Sequence, residues 1–294
     1  MQDTRKEVDK MKNTMKKPVA IPVEKLRPFA GHPFKVKDDE EMNTLIESIQ
    51  TQGVLSPLIV RPIENTEEYE VISGHRRLHA AQKAGITEVP ALIYALDRDA
   101  AAIAVVDSNL HREHILPSEK AFAYKLKRDA MAHQGRTSPQ LGEKSLTVEK
   151  IGAEAGDSKN QVLRYIRLTY LIPELLDLMD EGKIALMVGE ALSYLGDEEQ
   201  YAVLEQCEVN DCTPSYAQAV EMKKRYQDGQ LTADNISEIL AREKANQREM
   251  IKIPTEKIRK YAPNADAKQL EDFILKACEH YRKFLIRQRN RDER

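Results

Sequence analysis

Two adjacent arginines, Arg76 and Arg77, stand in the segment EVISGHRRLH at 70–79, directly after an apolar run and a turn at Gly74. The pattern predicts a strand that ends before Gly74 and a helix that begins at His75. The N-terminus of a helix presents unpaired N–H groups and a partial positive charge, so two guanidinium groups there destabilise the free protein. A bound anion would remove that cost, and we therefore predict a phosphate-binding turn.

The residues alone allow other interpretations of this turn. The two arginines could instead pair with the carboxylates of Glu68, Glu70 or Asp107. Nucleophilic catalysis is disfavoured because Ser73 has no evident base and acid partner. Metal binding is also disfavoured, because the histidines of the region lack a nearby Cys or an HExxH arrangement. These histidines are His75, His79, His111 and His114.

A second segment, LTVEKIGAEAGDSKNQVLRYIRLTYL at 146–171, has the pattern of two helices that cross through a tight turn at Gly156. Thr147 and Ser158 are the predicted N-caps of these helices. The second helix would expose side chains that can read DNA, with Asn160, Gln161 and Arg164 toward the bases and Lys159 and Arg167 toward the backbone. The alternative is an ordinary helical hairpin whose polar face is only solvated.

The elements that must position the first site form a predicted β-α-β-β-α-β unit that ends near residue 97. Asp38 or Asp39 is the predicted cap of its first helix, and Gly53 the predicted stop. Beyond this unit the pattern is helical, with a polar loop at 136–145 and a break at 251–263. The helices predicted after that loop are 147–155, 158–170, 173–181, 184–195, 197–207, 214–228, 232–247 and about 267–288.

Composition limits the class of protein. The chain has 294 residues, a net charge of −3, 41% hydrophobic residues and 32% charged residues. No apolar run approaches the roughly 18 residues of a membrane span, so we expect no membrane contact. Three cysteines without CxxC spacing favour a reducing cytoplasm over a disulfide framework or a zinc site. The last predicted helix has apolar residues three or four apart, which could form a core or pair with a second copy.

Three motifs in this order resemble the ParB family of DNA partition proteins. The family's Gly-Glu-Arg-Arg phosphate motif corresponds to residues 74–77, and its helix-strand signature to LIESIQTQGVLSPLIVRP at 45–62. A third motif corresponds to VVDSNLHREHILPSEKAFAY at 105–124, and the resemblance covers about residues 20–200. It implies a homodimer that binds a centromere-like site in double-stranded DNA, binds CTP with Mg²⁺, closes as a clamp and has a ParA-like ATPase as partner.

The resemblance also implies roles for individual residues. Magnesium would be held by Asn109, with Asp107 as a further ligand. Three positions depart from the family: His75 replaces the acid of the phosphate motif, Ser108 a metal-binding Glu, and Ser56 a Gln tied to hydrolysis. The chain would then be at most a slow CTP hydrolase. The implied nucleotide-binding residues are Gly53, Val54, Ser56, Gly74, His75, Arg76, Arg77, Ser108, Asn109 and Arg112; the DNA-binding set is Thr147, Ser158, Lys159, Asn160, Gln161, Arg164 and Arg167.

We therefore predict an α+β N-terminal domain, an all-α helix-turn-helix domain and a helical C-terminal dimerisation segment. The predicted function is plasmid or mobile-element partition by a CTP-gated clamp on DNA in the cytoplasm. A transcriptional repressor of the same architecture and an enzyme that acts on nucleotides or small molecules are the alternatives. The predicted parts are a basic disordered arm at 1–20, a nucleotide-binding domain at 21–115, a DNA-binding domain at 116–208, a helical linker at 209–250 and a dimerisation module at 251–294.

Overall fold

The computed structural model divides into two compact units, Met1–Arg242 and Glu243–Arg294. None of the helices in the described part of the chain combines the length and the apolar character needed to cross a bilayer. The structure describes residues 17–112, 114–134, 143–210, 212–242, 255–263 and 267–292. The predicted arm at 1–20 therefore lies almost wholly outside the described residues.

A mixed five-stranded sheet forms the first part of the larger unit. Its strand order is β1-β5-β3-β4-β2, with β3 parallel to β5, β2 parallel to β4, and the other neighbours antiparallel. The predicted β-α-β-β-α-β unit has one strand before its first helix, whereas the structure has two, because a 3₁₀ turn at Val23–Lys25 lets the chain pass from one edge of the sheet to the other. The strands are β1 (Val19–Pro22), β2 (Leu26–Pro28), β3 (Leu58–Pro62), β4 (Tyr69–Ser73) and β5 (Glu88–Ile93).

Two helices pack on this sheet, α1 (Glu40–Gln52) and α2 (His75–Lys83). The carboxylate of Asp39 accepts a hydrogen bond of 2.8 Å from the N–H of Met42, which fixes the start of α1. Gly53 ends the helix with a φ of +71°, a conformation that favours glycine. The predicted cap and stop are both confirmed, because each depends on neighbours in sequence.

The rest of the larger unit is helical, and one long helix connects its parts. Helix α4 (Pro117–Gln134) packs against α3, α5, α6 and α7. A shared core contains Val106, Tyr124, Ile151 and Ile166, one from each of four helices. The other helices are α3 (Arg98–Asp107), α5 (Glu143–Ala155), α6 (Lys159–Leu168), α7 (Pro173–Asp180), α8 (Leu186–Leu192), α9 (Asp197–Val209), α10 (Tyr216–Gln227) and α11 (Ala233–Ala241).

Two predicted helix starts are wrong. Helix α5 begins at Glu143, so Thr147 lies inside the helix and is not its N-cap. The predicted loop at 136–145 is therefore helical from 143, and the remainder of it lies outside the described residues. Helix α10 begins at Tyr216 and not at 214, because Ser215 caps it with a hydroxyl that accepts from the N–H of Gln218. At the second start the chain offers two hydroxyl residues, Thr213 and Ser215, and spacing alone did not select the right one.

The predicted linker at 209–250 is corrected over its described part. Helices α10 and α11 bury Met222, Ile236 and Ile239 in the same core as Leu175 and Val203 of the preceding helices. This segment is therefore part of a packed helical body. Residues 243–250 lie outside the described residues.

The smaller unit contains α12 (Thr255–Arg259) and α13 (Ala267–Asp292). The helical break predicted at 251–263 is therefore wrong in its middle, where α12 forms a short helix. The last helix starts where the pattern predicted and runs about one turn further. Its apolar side chains Tyr281, Phe284 and Leu285 are exposed within the single chain.

Candidate functional site

The turn between β4 and α2 is built around Gly74. Its φ of +106° lies in the left-handed region, and a Cβ atom there would approach both Leu58 and the Arg77 guanidinium at 3.1 Å. A side chain at this position would therefore be strained by its backbone and crowded by its neighbours. The glycine allows the guanidinium of Arg77 to fold back over the turn.

Arg77 ties the turn to the loop that precedes β3. Its Nη1 donates to the backbone carbonyl of Pro57 at 2.8 Å and also to that of Ser56. Burial lowers the pKa of this guanidinium from its ordinary value. The structure therefore brings Gly74, Arg77 and Ser56 together, with Val54 buried and Gly53 at the end of α1 in the same loop.

Arg76 is paired, although not with the acids that the sequence suggested. Its Nη2 lies 3.2 Å from Glu41 and 3.6 Å from Asp39, at the start of α1. The three expected carboxylates have other partners: Glu68 pairs with Arg27, Glu70 with Arg61, and Asp107 with Lys127. Because the Arg76 pairs are partly exposed, they contribute little to stability and a phosphate could replace them at small cost.

His75 is held by contacts that the sequence did not indicate. Its ring lies 3.6 Å from that of His32, and its Nε2 accepts a hydrogen bond of 3.2 Å from the N–H of Phe29. Burial, then the nearby His32 and Arg112, lower the pKa of His75 to about 3. His75 is therefore neutral near pH 7 and adds no charge to the turn.

Arg112 adds a third guanidinium to the region. Its charge lowers the pKa of both His32 and His75, and its own pKa is lowered first by burial and also by Arg76. The guanidinium carbon lies 5.5 Å from the centre of the Phe34 ring. Arg76, Arg77 and Arg112 thus surround the start of α2, where helix N–H groups also favour an anion.

Each of the predicted magnesium ligands, Asp107 and Asn109, has a partner within the protein. Asp107 forms an ion pair with Lys127, whose side chain is only 2% exposed. The hydroxyl of Ser108 donates a hydrogen bond to the carbonyl of Val105. The amide nitrogen of Asn109 also donates to Val105, at 2.7 Å. Among the described residues no group of three His, Cys, Asp or Glu side chains could hold a metal ion. Asn109 keeps its carbonyl oxygen and Asp107 its second carboxylate oxygen, so a Mg²⁺ ion here would take its remaining ligands from phosphates and water.

Acid should destabilise the fold through His75. Its pKa is about 3 in the folded chain against an ordinary 6.5, so the unfolded chain binds the proton first as the pH falls. Stability is therefore lost below pH 6.5, and by pH 5 the loss is about 2 kcal/mol. We expect urea denaturation of wild type to show this loss between pH 8 and pH 5, and His75→Gln to lack most of it.

The matched control for this prediction is His79→Gln. His79 is a more exposed histidine on the same helix that pairs with Asp38 at 2.8 Å. This variant should still lose stability between pH 8 and pH 5, because it retains His75. Equal slopes for wild type and His75→Gln would contradict the assignment of the effect to His75.

The second predicted site is a pair of helices joined by a tight turn. Gly156 has a φ of +74°, and a Cβ atom on Gly152 would collide with the backbone carbonyl of Asp157. The Asp157 carboxylate is held by the hydroxyl of Tyr124 at 2.5 Å and by Lys120 at 2.6 Å, both on α4. Helix α4 therefore fixes the turn between α5 and α6.

Six of the seven residues predicted to contact DNA lie on α6 or at its N-cap, and they differ in what they touch. Ser158 and Gln161 form a reciprocal capping box, so the predicted cap at Ser158 is confirmed and the Gln161 carbonyl oxygen is used locally. Asn160 is exposed, and Lys159 pairs with Glu149 at 2.9 Å. Thr147 lies one helix earlier, within α5.

Two arginines on α6 contact α8 and the residues directly after it. Arg167 donates to the carbonyl of Ser193 at 2.8 Å and lies against the rings of Tyr170 and Tyr194, at 4.5 and 4.1 Å. These contacts favour a packing role for Arg167. Arg164 pairs with Glu190 of α8 at 3.1 Å. The partner of each arginine lies about 26 residues away, and no local pattern identified it.

The comparisons with known proteins agree on one family. A family model described as the ParB N-terminal domain matches residues 5–110. The chromosome-partitioning protein Spo0J of Thermus thermophilus is 34% identical over 183 residues, which make up 62% of each chain. A probable chromosome 1-partitioning protein ParB of Deinococcus radiodurans is 31% identical over 209 residues, 71% of this chain and 67% of that protein.

A solved structure is also similar in sequence. It is the C-terminally truncated chromosome-partitioning protein ParB of Caulobacter crescentus, complexed with CTP-gamma-S, at 28% identity. The match covers 64% of this chain and 97% of that chain, with a TM-score of 0.31. The chain spans about two thirds or less of the two curated relatives. Both curated relatives are named for chromosomes, and these names do not support the plasmid or mobile-element setting expected from the sequence.

Proposed function

The chain belongs to the ParB family, and from this premise we propose that it is a DNA partition protein that binds a specific site in double-stranded DNA as a homodimer. Binding of CTP beside α2 would gate its closure on DNA. The names of its relatives favour a chromosome as the DNA that is partitioned. A ParA-like ATPase as partner, and a cytoplasmic place on the nucleoid, follow from the same family membership.

The observation that carries the nucleotide part of this proposal is the convergence of three arginines on the start of α2. Arg77 is half-buried and bonded to carbonyl groups, so its charge is compensated by dipoles and not by an acid. Arg76 would exchange its exposed partners Glu41 and Asp39 for phosphate oxygens. Arg112 supplies the third positive charge. A triphosphate would offset the mutual repulsion of these groups.

The loop before β3 is the proposed place of the cytosine base. Gly53, Val54 and Ser56 belong to this loop, and Arg77 holds it against the turn. Ser56 and Ser108 replace residues tied to hydrolysis and metal binding in the family, so slow hydrolysis at most is proposed. Asp107 and Asn109 would each offer one oxygen to a Mg²⁺ ion that enters with the nucleotide, and no step of the proposal depends on that ion.

Helices α5 and α6 are proposed as the helix-turn-helix that reads DNA. Asn160 is exposed on α6, Arg164 is only partly buried, and Gln161 keeps its amide N–H groups after capping. Lys159 would contact the phosphate backbone once it leaves Glu149. Thr147 and Ser158 would lie at the edge of the contact. No specific observation favours the repressor or the enzyme alternative.

The proposed dimer contact is the apolar stripe of α13, which runs at helical spacing through Leu270, Phe273, Ile274, Ala277, Tyr281 and Leu285. Leu285 lies at the C-terminal end of this stripe and is 46% exposed in the single chain. We expect Leu285→Asp to shift the protein from dimer to monomer in sedimentation velocity at micromolar concentration, because a buried carboxylate would oppose pairing.

Leu275→Asp is the matched control for the dimer contact. Leu275 is also exposed on α13, yet it lies on the opposite side of the helix from the stripe. The control should remain dimeric. A dimer that survives Leu285→Asp would remove α13 from the proposed interface.

Two experiments test the proposed function on the full chain. Isothermal titration with CTP, ATP and GTP in the presence of MgCl₂ should show selective binding of CTP. Selection from a randomised duplex library should enrich one sequence with two-fold symmetry, as expected for a dimer. Equal or absent binding of the three nucleotides would contradict gating by CTP, and a library without an enriched sequence would contradict specific DNA binding.

A further inference from the structure

Glu190 of α8 lies behind Arg164 of the proposed reading helix. The carboxylate Oε2 is 3.1 Å from the guanidinium Nε. The Glu190 side chain is 23% exposed and that of Arg164 is 37% exposed, so the acid is the inner member of the pair. The carboxylate therefore approaches the guanidinium from its Nε side and from within the protein.

The chemistry of this pair bears on how Arg164 would meet DNA. A guanidinium held at its Nε side keeps its two terminal nitrogens for a second, bidentate partner. In the major groove the matching partner is guanine, which presents O6 and N7 as acceptors. An arginine without such a support has more rotamers to lose and binds phosphates in any sequence.

The surroundings of Glu190 agree with a place at the edge of a DNA interface. A groove between α8 and α10 is lined by Glu190 together with Lys223, Lys224, Tyr216 and Val220. The groove carries two lysines and one carboxylate, so this edge is not acidic overall. An acid at this position therefore need not repel the DNA backbone.

We propose that Glu190 is a specificity-determining positioning residue, which holds Arg164 so that its outer edge reads a guanine. This inference rests on the proposed function, because it requires that α6 enters the major groove. It adds a residue outside the helix-turn-helix to the reading of DNA. It also predicts that the loss of Glu190 relaxes sequence preference without removing affinity for DNA.

The test uses the duplex that wild type selects from the randomised library and a panel of its single base-pair substitutions. Fluorescence anisotropy at one fixed salt concentration measures Kd for wild type, Arg164→Ala, Glu190→Gln and the double variant. Wild type should discriminate about 10-fold at one G·C pair, and Arg164→Ala should lose this preference. Glu190→Gln should lose most of it at the same pair only, and the double variant should lose no more than Arg164→Ala.

Glu205→Gln is the matched control, since Glu205 is an exposed acid on α9. It should leave every preference unchanged. Preserved discrimination in Glu190→Gln would overturn the inference, and so would an equal loss of affinity for all duplexes, including one of random sequence. If the proposed function itself were wrong, the result would differ, because wild type would then select no sequence from the library.

Discussion

Arg77→Ala is expected to weaken CTP binding by about 100-fold in isothermal titration of the full chain. Each hydrogen bond between a charged donor and phosphate contributes roughly 1.5–3 kcal/mol, and the guanidinium offers two parallel donors. The same side chain bonds the carbonyls of Ser56 and Pro57, so its removal also frees the loop proposed to hold the base. Both losses weaken the binding of CTP.

The controls for this variant separate charge, geometry and folding. Arg77→Lys keeps the charge but lacks the planar fork, so we expect it to recover only part of the affinity. Arg27→Ala removes an exposed arginine on β2 that pairs with Glu68, and it should bind CTP as wild type does. Urea denaturation shows whether each variant is folded. Wild-type affinity in a folded Arg77→Ala would remove this turn from the nucleotide site.

Features encoded by neighbours in sequence could be predicted, and the turn at Gly74 is the best example. A strand, a glycine and a helix start within five residues leave few conformations, and the arginines that follow must lie at the helix N-terminus. The helix cap at Asp39 and the helix end at Gly53 are also encoded by neighbours in sequence. Each depends on hydrogen bonds that reach no more than four residues along the chain.

Contacts between distant residues could not be predicted. The sequence suggested Glu68, Glu70 and Asp107 as partners of the arginines. In the structure Arg76 instead pairs with two acids at the start of α1. Those acids stabilise the N-terminus of α1, where a negative charge is favourable, and the fold places α2 beside them. Charge pairing has no preferred spacing between elements, so only the packing decides it.

His75 shows why a departure from a family pattern is hard to interpret from one sequence. Its position suggested the loss of an acid from the phosphate motif. In the fold it accepts from the backbone of Phe29 and stacks on His32, and both partners precede it by more than 40 residues. The fold thus accommodates histidine at this position as a neutral, largely buried ring. Its partners are distant in sequence, so no local spacing could indicate them.

Lys127→Ala is expected to destabilise the chain by roughly 2–4 kcal/mol in urea denaturation. Lys127 lies on α4, and its side chain is 2% exposed while it pairs with Asp107 of α3 and Glu154 of α5. Truncation to alanine would leave a cavity where the apolar stem packs. It would also leave two carboxylates near each other without the cation that lies between them.

Lys127→Met is the variant that separates these two losses. Methionine fills most of the volume of the stem but carries no charge, and buried ion pairs replaced by apolar residues of similar size often leave stability unchanged. Asp107 and Glu154 are about half exposed, so water can solvate them when the lysine is gone. We therefore expect Lys127→Met to lie within about 1 kcal/mol of wild type. A loss as large as that of alanine would instead assign the stability to the ion pairs.

The folded Met variant also tests what the lysine does for function. Helix α3 leads directly to Ser108 and Asn109, and α5 is the first helix of the proposed DNA-reading pair, so Lys127 joins the two sites through one buried charge. If it only packs, Lys127→Met should bind CTP and the selected duplex as wild type does, each measured alone and in the presence of the other. A change confined to the combined measurement would show that the CTP and DNA sites depend on each other through this lysine.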